Sequence, residues 1–436
     1  MNHSTPPVSL RPPKWAAHLF RSLASRNYRF YFFGQTVSMI GNWMTQTASL
    51  WLAYKLTGSP LLVGVVGFAG QAPIFLLAPL AGVWADRVNR HRLLLVTQLL
   101  SALQVFTLAF LTFSHGLDIR FLIGLALAQG AINAFDFTTR HAILTQFVPD
   151  KEHLASAIAL NSSVFNLARL VGPAVGGVIV ARFGAGFCYL LDGFSYLTMV
   201  AALALVRLAP LSKAPARRHP WHDFQEGVRY VLGSPPIRIL MSNVALNALW
   251  VFSFSTLAPV FAREIFHGDA RTLGFIMSAS GIGSLAAALY LGSRANLRNL
   301  SAMIYRGGLL MGCGLILYSF LKALPVALFI LVFVGAGNIL LLASSNTLVQ
   351  SLIADDKRGR TMSLYTFCFN GAASLGSLLC GYLAGWFGGP AAVRISGALA
   401  LAATFYFRHR RPRLHERPSL PISPSIPIKK ACDITS

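Results

Sequence analysis

The stretch Gly82-Val83-Trp84-Ala85-Asp86-Arg87-Val88-Asn89-Arg90-His91-Arg92-Leu93-Leu94 decides how the chain is read. An apolar run ends at Trp84, an acid and three arginines interrupt it, and a second apolar run begins at Leu93. Flanking runs of about 20 apolar residues are long enough to cross the hydrocarbon core of a bilayer as helices. A break this short then joins two crossings at one face of the membrane. Its arginines mark that face as cytoplasmic, where Lys and Arg accumulate.

The whole chain fits this local reading. Of its 436 residues, 55% are hydrophobic and 12% charged, with a mean hydropathy of +0.58. A soluble domain carries about a quarter charged residues. The net charge of +23 and pI near 10.6 raise the question of nucleic acid, which the placement of the charge answers. Taking alternate loops as cytoplasmic puts 28 of the 37 Lys and Arg inside and 7 outside, leaving Arg140 and Arg169 within apolar runs. That asymmetry places both termini in the cytoplasm and makes the bilayer, not nucleic acid, the partner of the basic surface. The five cysteines show no C-x-x-C spacing. Cys368 and Cys380 share one predicted helix about 18 Å apart, too far to bridge. The N-terminal region has no short apolar segment with a small-residue cleavage site, so the first apolar run reads as a retained span.

Read in order, the pattern predicts a cytoplasmic arm (1–27), six spans (28–208), a cytoplasmic linker (209–236), six more spans (237–407) and a disordered basic tail (408–436). The linker carries Trp221, Phe224, Val228 and Val231 at helical spacing, opposite Asp223, Glu226 and Arg229. This predicts a short amphipathic helix on the membrane interface. Span one bears Gln35, Ser38, Asn42, Thr45 and Ser49 on one stripe. A polar stripe within lipid faces either a water-filled cavity or a hydrogen-bonding neighbour helix, and both readings stand. Span four has Gln129, Asn133, Asp136 and Arg140 on one face. Span seven bears Asn243, Asn247, Trp250 and Phe254, and span ten Asn338 and Ser345. Gln35, Asn42, Asn133, Asn243, Asn247, Trp250 and Asn338 are the candidate lining of a substrate cavity.

The second half echoes the first. Asn166 and Asn370, Gly172 and Gly376, Gly177 and Gly381, and Gly184 and Gly388 all lie 204 positions apart, while Asp150-Lys151 and Asp356-Lys357 lie 206 apart. A duplicated six-span unit accounts for this. Two carboxylates fall inside the membrane, Asp136 and Asp192, and a buried ionisable group is costly enough to be a functional candidate by default. Asp136 lies one turn from Arg140. Asp192 lies at about the depth of Arg169, judged at 1.5 Å per residue, so the pair could face each other across spans five and six. Each acid reads either as a proton carrier or as half of a register-setting ion pair. The sequence shows no metal-ligand cluster, phosphate loop or catalytic triad.

Three motifs resemble those of the major facilitator superfamily. The opening stretch resembles its loop 2–3 signature, G-x-x-x-D-R-x-G-R-[RK]-x-x-L, with Gly82, Asp86, Arg87, Arg90 and Leu94 in place, Asn89 for the second glycine and His91 for a basic residue. The resemblance implies a cytoplasmic gate in which Asp86 latches onto a helix of the other half. Gly172-Pro173-Ala174-Val175-Gly176-Gly177 resembles the antiporter motif of proton-coupled exporters. Ala126-x-x-Gln129-Gly130 resembles the span-four motif, with Ala126 where relatives carry an arginine tied to proton coupling. Gly34-Gln35-x-x-Ser38-x-x-Gly41, Leu56-Thr57-Gly58-Ser59-Pro60 and Asn166-Leu167-Ala168-Arg169 are similar to the enterobactin-exporter branch.

The resemblance implies an all-α integral membrane fold of twelve transmembrane helices in two pseudo-symmetric halves. It implies a monomer without cofactor or metal, in a bacterial inner membrane, exchanging protons for a small amphiphilic molecule such as a siderophore or drug. A metabolite uptake permease is the alternative within transport, and a membrane sensor or enzyme the alternative outside it.

Overall fold

The computed structural model describes residues 21–148, 151–206, 220–251, 253–293, 299–354 and 357–410; every regular element among them is helical. The expected arm up to residue 20, residues 209–219 of the linker and the tail from residue 411 lie outside the described residues. The first half comprises Arg26–Thr57 (α1), Pro60–Arg87 (α2), Arg90–Phe113 (α3), Ile119–Phe147 (α4), Lys151–Phe183 (α5) and Ala185–Ala204 (α6). A linker helix, Pro220–Gly233 (α7), follows. In the second half, span seven covers Pro235–Ile265, described as Pro235–Val251 (α8), Ser253–Val260 (α9) and a closing π turn, Phe261–Ile265. Ala270–Gly292 (α10), Leu300–Tyr318 (α11), Leu324–Leu352 (α12), Arg358–Phe387 (α13) and Gly389–Arg410 (α14) complete it.

Eleven of the described helices are long and apolar enough to cross a membrane. The remaining crossing is α1, whose polar stripe lowers its hydropathy. It nevertheless runs the full height of its half. Tyr28 Oη donates to the Ala157 carbonyl near the start of α5, and Ser49 Oγ meets Tyr189 Oη near the start of α6, 3.2 Å away, at the opposite end. We call the end that carries Arg21, the α2–α3 turn and Arg410 the basic end, and the other the far end.

Local chemistry sets the turns. Asn89 is the N-cap of α3, its Oδ1 accepting from the backbone N–H of His91 and Arg92 at 3.0 and 3.2 Å. Its φ of −64° asks for no glycine, which is why the motif tolerates asparagine here. His91 Nε2 lies 2.9 Å from the Leu203 carbonyl oxygen and ties this turn to the end of α6. At the far end, Gly184 and Gly388 are the one-residue turns between α5 and α6 and between α13 and α14. Their φ values of +89° and +81° are accessible to glycine at little cost.

The repeat is realised in packing. In the first half α1 packs on α5 and α6, α2 on α4, and α3 on α4 and α6; in the second, α8 packs on α13 and α14, α10 on α12, and α11 on α12 and α14. The halves meet where α5 crosses α10 and where α2 crosses α13. The linker helix docks on the second half along the edge that includes Val228 and Val231, so that edge faces protein and not lipid. There Glu226 pairs with Lys357 and, at 2.6 Å, with Arg360. The Trp221 and Phe224 side chains lie outside the described residues.

Candidate functional site

The antiporter-like motif of α5 sets the geometry. A methyl placed on Gly172 would stand 2.5 Å from Trp43 Cβ, and one on Gly176 would stand 2.9 Å from Met44 Cα, so these two glycines seat α5 on α1. Gly177 faces the other way, onto the second half. A methyl there would meet the Ala270 carbonyl oxygen at 2.5 Å and Gly274 Cα at 3.0 Å. Its repeat mate Gly381 makes the equivalent contact across the second junction, at 2.7 Å from the Pro60 carbonyl oxygen and 2.9 Å from Gly64 Cα. Two backbone-to-backbone seams of one design thus close the far end. Ser278 Oγ donating to the Leu170 carbonyl (2.7 Å) extends one seam, and Phe75 edge-on to Phe367 (5.6 Å) extends the other. Tyr54 also donates to Glu264 across the halves.

Beside these seams lies a cavity of about 40 Å³. The first half lines it with Trp43, Gln46, Arg169 and Pro173, and the second with Phe254, Ser255, Met277, Ser280 and Asn338. Of the amides and aromatics expected to line a cavity, it takes Asn338. The others are held elsewhere. Gln35 is buried and its Nε2 reaches Met39 Sδ, while Asn42 Nδ2 donates to Tyr196 Oη on α6 (3.0 Å). Together with Ser49 and Tyr189, Asn42 resolves the stripe on α1 as an interhelical seam with α6. Asn133 accepts from Gln129, which also donates to Ser101, within the α3–α4 pair. Asn247 bonds back to Asn243 in α8, and Trp250 packs on the core. The lining residues that the sequence reading did not single out are Trp43, Gln46, Ser255, Met277 and Ser280; Trp43 and Gln46 follow Asn42 and Thr45 by one position and so lie to one side of the polar stripe of α1.

The two membrane acids have different surroundings. Asp136 pairs with Arg140 one turn on, and its Oδ1 accepts from Thr97 (3.0 Å) and Gln98 (2.6 Å). Both oxygens are satisfied, in an anchor that fixes α4 against α3. Asp192 is 1% exposed; its Oδ1 accepts from Ser195 at 2.8 Å, and its Oδ2 has no partner. It looks onto Gly41 of α1. The expected meeting of Asp192 and Arg169 does not occur, and the reason is azimuth. The α1 helix lies between α5 and α6, with Gly41 turned to Asp192 and Trp43, two residues on, turned to Arg169. Depth alone does not bring two residues together around a third helix.

In the loop 2–3 motif, Gly82 has open space around it, and Arg90 opens α3. The side chains of Asp86 and Arg87 lie outside the described residues, and with them the expected latch.

Residues 17–430 match the family described as transmembrane secretion effector. The chain belongs to this family of major facilitator transporters. Among its relatives are the staphyloferrin A transporter of Staphylococcus aureus (strain NCTC 8325 / PS 47), 28% identical over 88% of this chain and 97% of that one, and the multidrug efflux pump Tap of Mycolicibacterium fortuitum, 27% identical over 79% and 86%. A crystal structure of a POT family transporter in complex with 5-aminolevulinic acid shares the fold at a TM-score of 0.69, with 13% identity over 90% of this chain and 97% of that one. The chain is therefore a multi-pass membrane transporter with the twelve-helix major facilitator architecture.

Proposed function

We propose that this transporter exports a small amphiphilic molecule, of the siderophore or drug class, across the bacterial inner membrane in exchange for protons, as a monomer working by alternating access. The observation that carries the reading is the cavity: residues of both halves line it, beside seams that close the far end. A site shared by two halves that rock about it is what alternating access requires. The basic end is the cytoplasmic one, so the sealed state is closed to the outside. Asp192 is the proton carrier in this scheme. Its charge has no cation within 4 Å among the described residues, and burying a lone carboxylate is a cost that a bound proton removes. Asp136, fully bonded, holds helix register. The relatives' names, a siderophore transporter and a multidrug efflux pump, support export of such molecules.

Energised membrane vesicles test the direction. Inside-out vesicles containing the protein should accumulate members of a panel of fluorescent amphiphiles when the lumen is acidified, and lose them when the gradient collapses. Accumulation by right-side-out vesicles alone would establish an importer.

A further inference from the structure

Arg169 stands 14 residues from the far end of α5, about 21 Å along the helix axis, and so near the middle of the bilayer. Its guanidinium carries five donors. Among the described residues no carboxylate lies within 4 Å of it and no protein acceptor takes its hydrogen bonds; its contact is the Trp43 ring, 5.9 Å from Cζ to centroid. The membrane acids stand elsewhere: Asp136 is paired with Arg140, and Asp192 faces Gly41 on the other side of α1, with Ser195 of its own helix bonded to it. A lone cation at this depth is expensive unless it faces water or an anion, and Arg169 faces the cavity. Beside it are the amides Gln46 and Asn338, the latter with an unpartnered buried Oδ1, and the apolar surfaces of Phe254 and Met277.

We propose that Arg169 makes the cavity selective for anionic substrates: a carboxylate on the guanidinium, and the molecule's ring or chain on Phe254 and Met277. The planar fork of arginine matches the two oxygens of a carboxylate, and the Trp43 face holds that fork in place by cation–π attraction. The uncharged amides Gln46 and Asn338 accept and donate to the remaining polar groups of the ligand. The proposal rests on reading this cavity as the transport site. It narrows the amphiphile to one that carries a negative charge.

Three probes with one ring and three charges test it: 2-naphthoate, 2-naphthylmethanol and protonated 2-naphthylmethylamine, each titrated by equilibrium dialysis against the full-length protein in nanodiscs. Wild type should bind naphthoate at least tenfold more tightly than the alcohol, and bind the amine most weakly. Arg169→Gln should bring the naphthoate-to-alcohol ratio within twofold of unity while moving the alcohol's affinity less than threefold. Arg169→Lys should keep a ratio of at least threefold, which supplies the readout if the Gln variant melts early. Equal binding of naphthoate and alcohol by wild type, or an unchanged ratio in folded Arg169→Gln, overturns the anion site. Accumulation of naphthoate by energised inside-out vesicles reports the export reading separately. A binding preference without accumulation keeps the anion site and removes export; accumulation without preference does the reverse.

Discussion

Adding one methyl at each seam should open the far end. In Gly177→Ala the new Cβ would lie 2.5 Å from the Ala270 carbonyl oxygen, whereas ordinary contact begins at 3.4 Å, so α5 and α10 must part by about 0.9 Å. The obstacle is backbone on both sides and has no rotamer to yield. Overpacking of this kind costs about 1–3 kcal/mol. The cost falls on the sealed state, because the open state separates the same helices. It therefore shifts the balance toward outward opening by about fivefold at the low end and about a hundredfold at the high end. Gly381→Ala, at 2.7 Å from the Pro60 carbonyl oxygen, should act similarly, and the two contacts share no partner, so their effects should add. Spin labels at His115 and Lys322, exposed far-end positions on opposite halves, report the separation once the five native cysteines are replaced. The double variant should move most of the distance distribution to longer values. A folded double variant with the wild-type distribution would refute the seam as the outer gate.

The remaining predictions use other parts of the site. Asp192→Asn should abolish proton-driven accumulation in proteoliposomes and leave exchange of substrate down its own gradient intact; normal accumulation would remove Asp192 as the carrier. Arg140→Gln should destabilise the protein by about 3–5 kcal/mol, because it leaves Asp136 buried without its cation, and the double change with Asp136→Asn should recover much of the melting temperature. Asn89→Ala should cost about 1 kcal/mol in thermal unfolding through loss of the α3 cap, and Asn89→Gly only a few tenths. Equal losses from the Ala and Gly variants would mean that Asn89 does not act as a cap.

The sequence made heights legible and left directions obscure. Apolar run lengths and the loop charges mark out the crossings, and the 204-residue offset anticipates that Gly177 and Gly381 do the same work. Even α1, too polar to stand out by hydropathy, is visible through its stripe. Which way a residue looks is set by neighbours that the one-dimensional pattern does not order. Arg169 and Asp192 lie at similar depth yet turn toward opposite faces of α1. The stripe on α1 admits cavity and seam alike until Tyr189 and Tyr196 are known to stand opposite it. The π turn that closes span seven after Pro259 carried no comparable periodic signal.

Arg169, Pro173 and Gly177 follow one another at steps of four along a single face of α5, from the cavity wall to the seam. In the duplicate helix the same row reads Ala373, Ser377 and Gly381. The joints are twins, but only one has a handle. Where two glycine backbones touch there is nothing to protonate and nothing for salt to screen, so these joints do not answer to the medium directly. On the proposed binding mode, a molecule held by the guanidinium would act on the α5–α10 joint through two turns of α5 that include Pro173, where the helix lacks one backbone hydrogen bond. The α2–α13 joint has an alanine, Ala373, at the matching place and so offers a ligand no such charge.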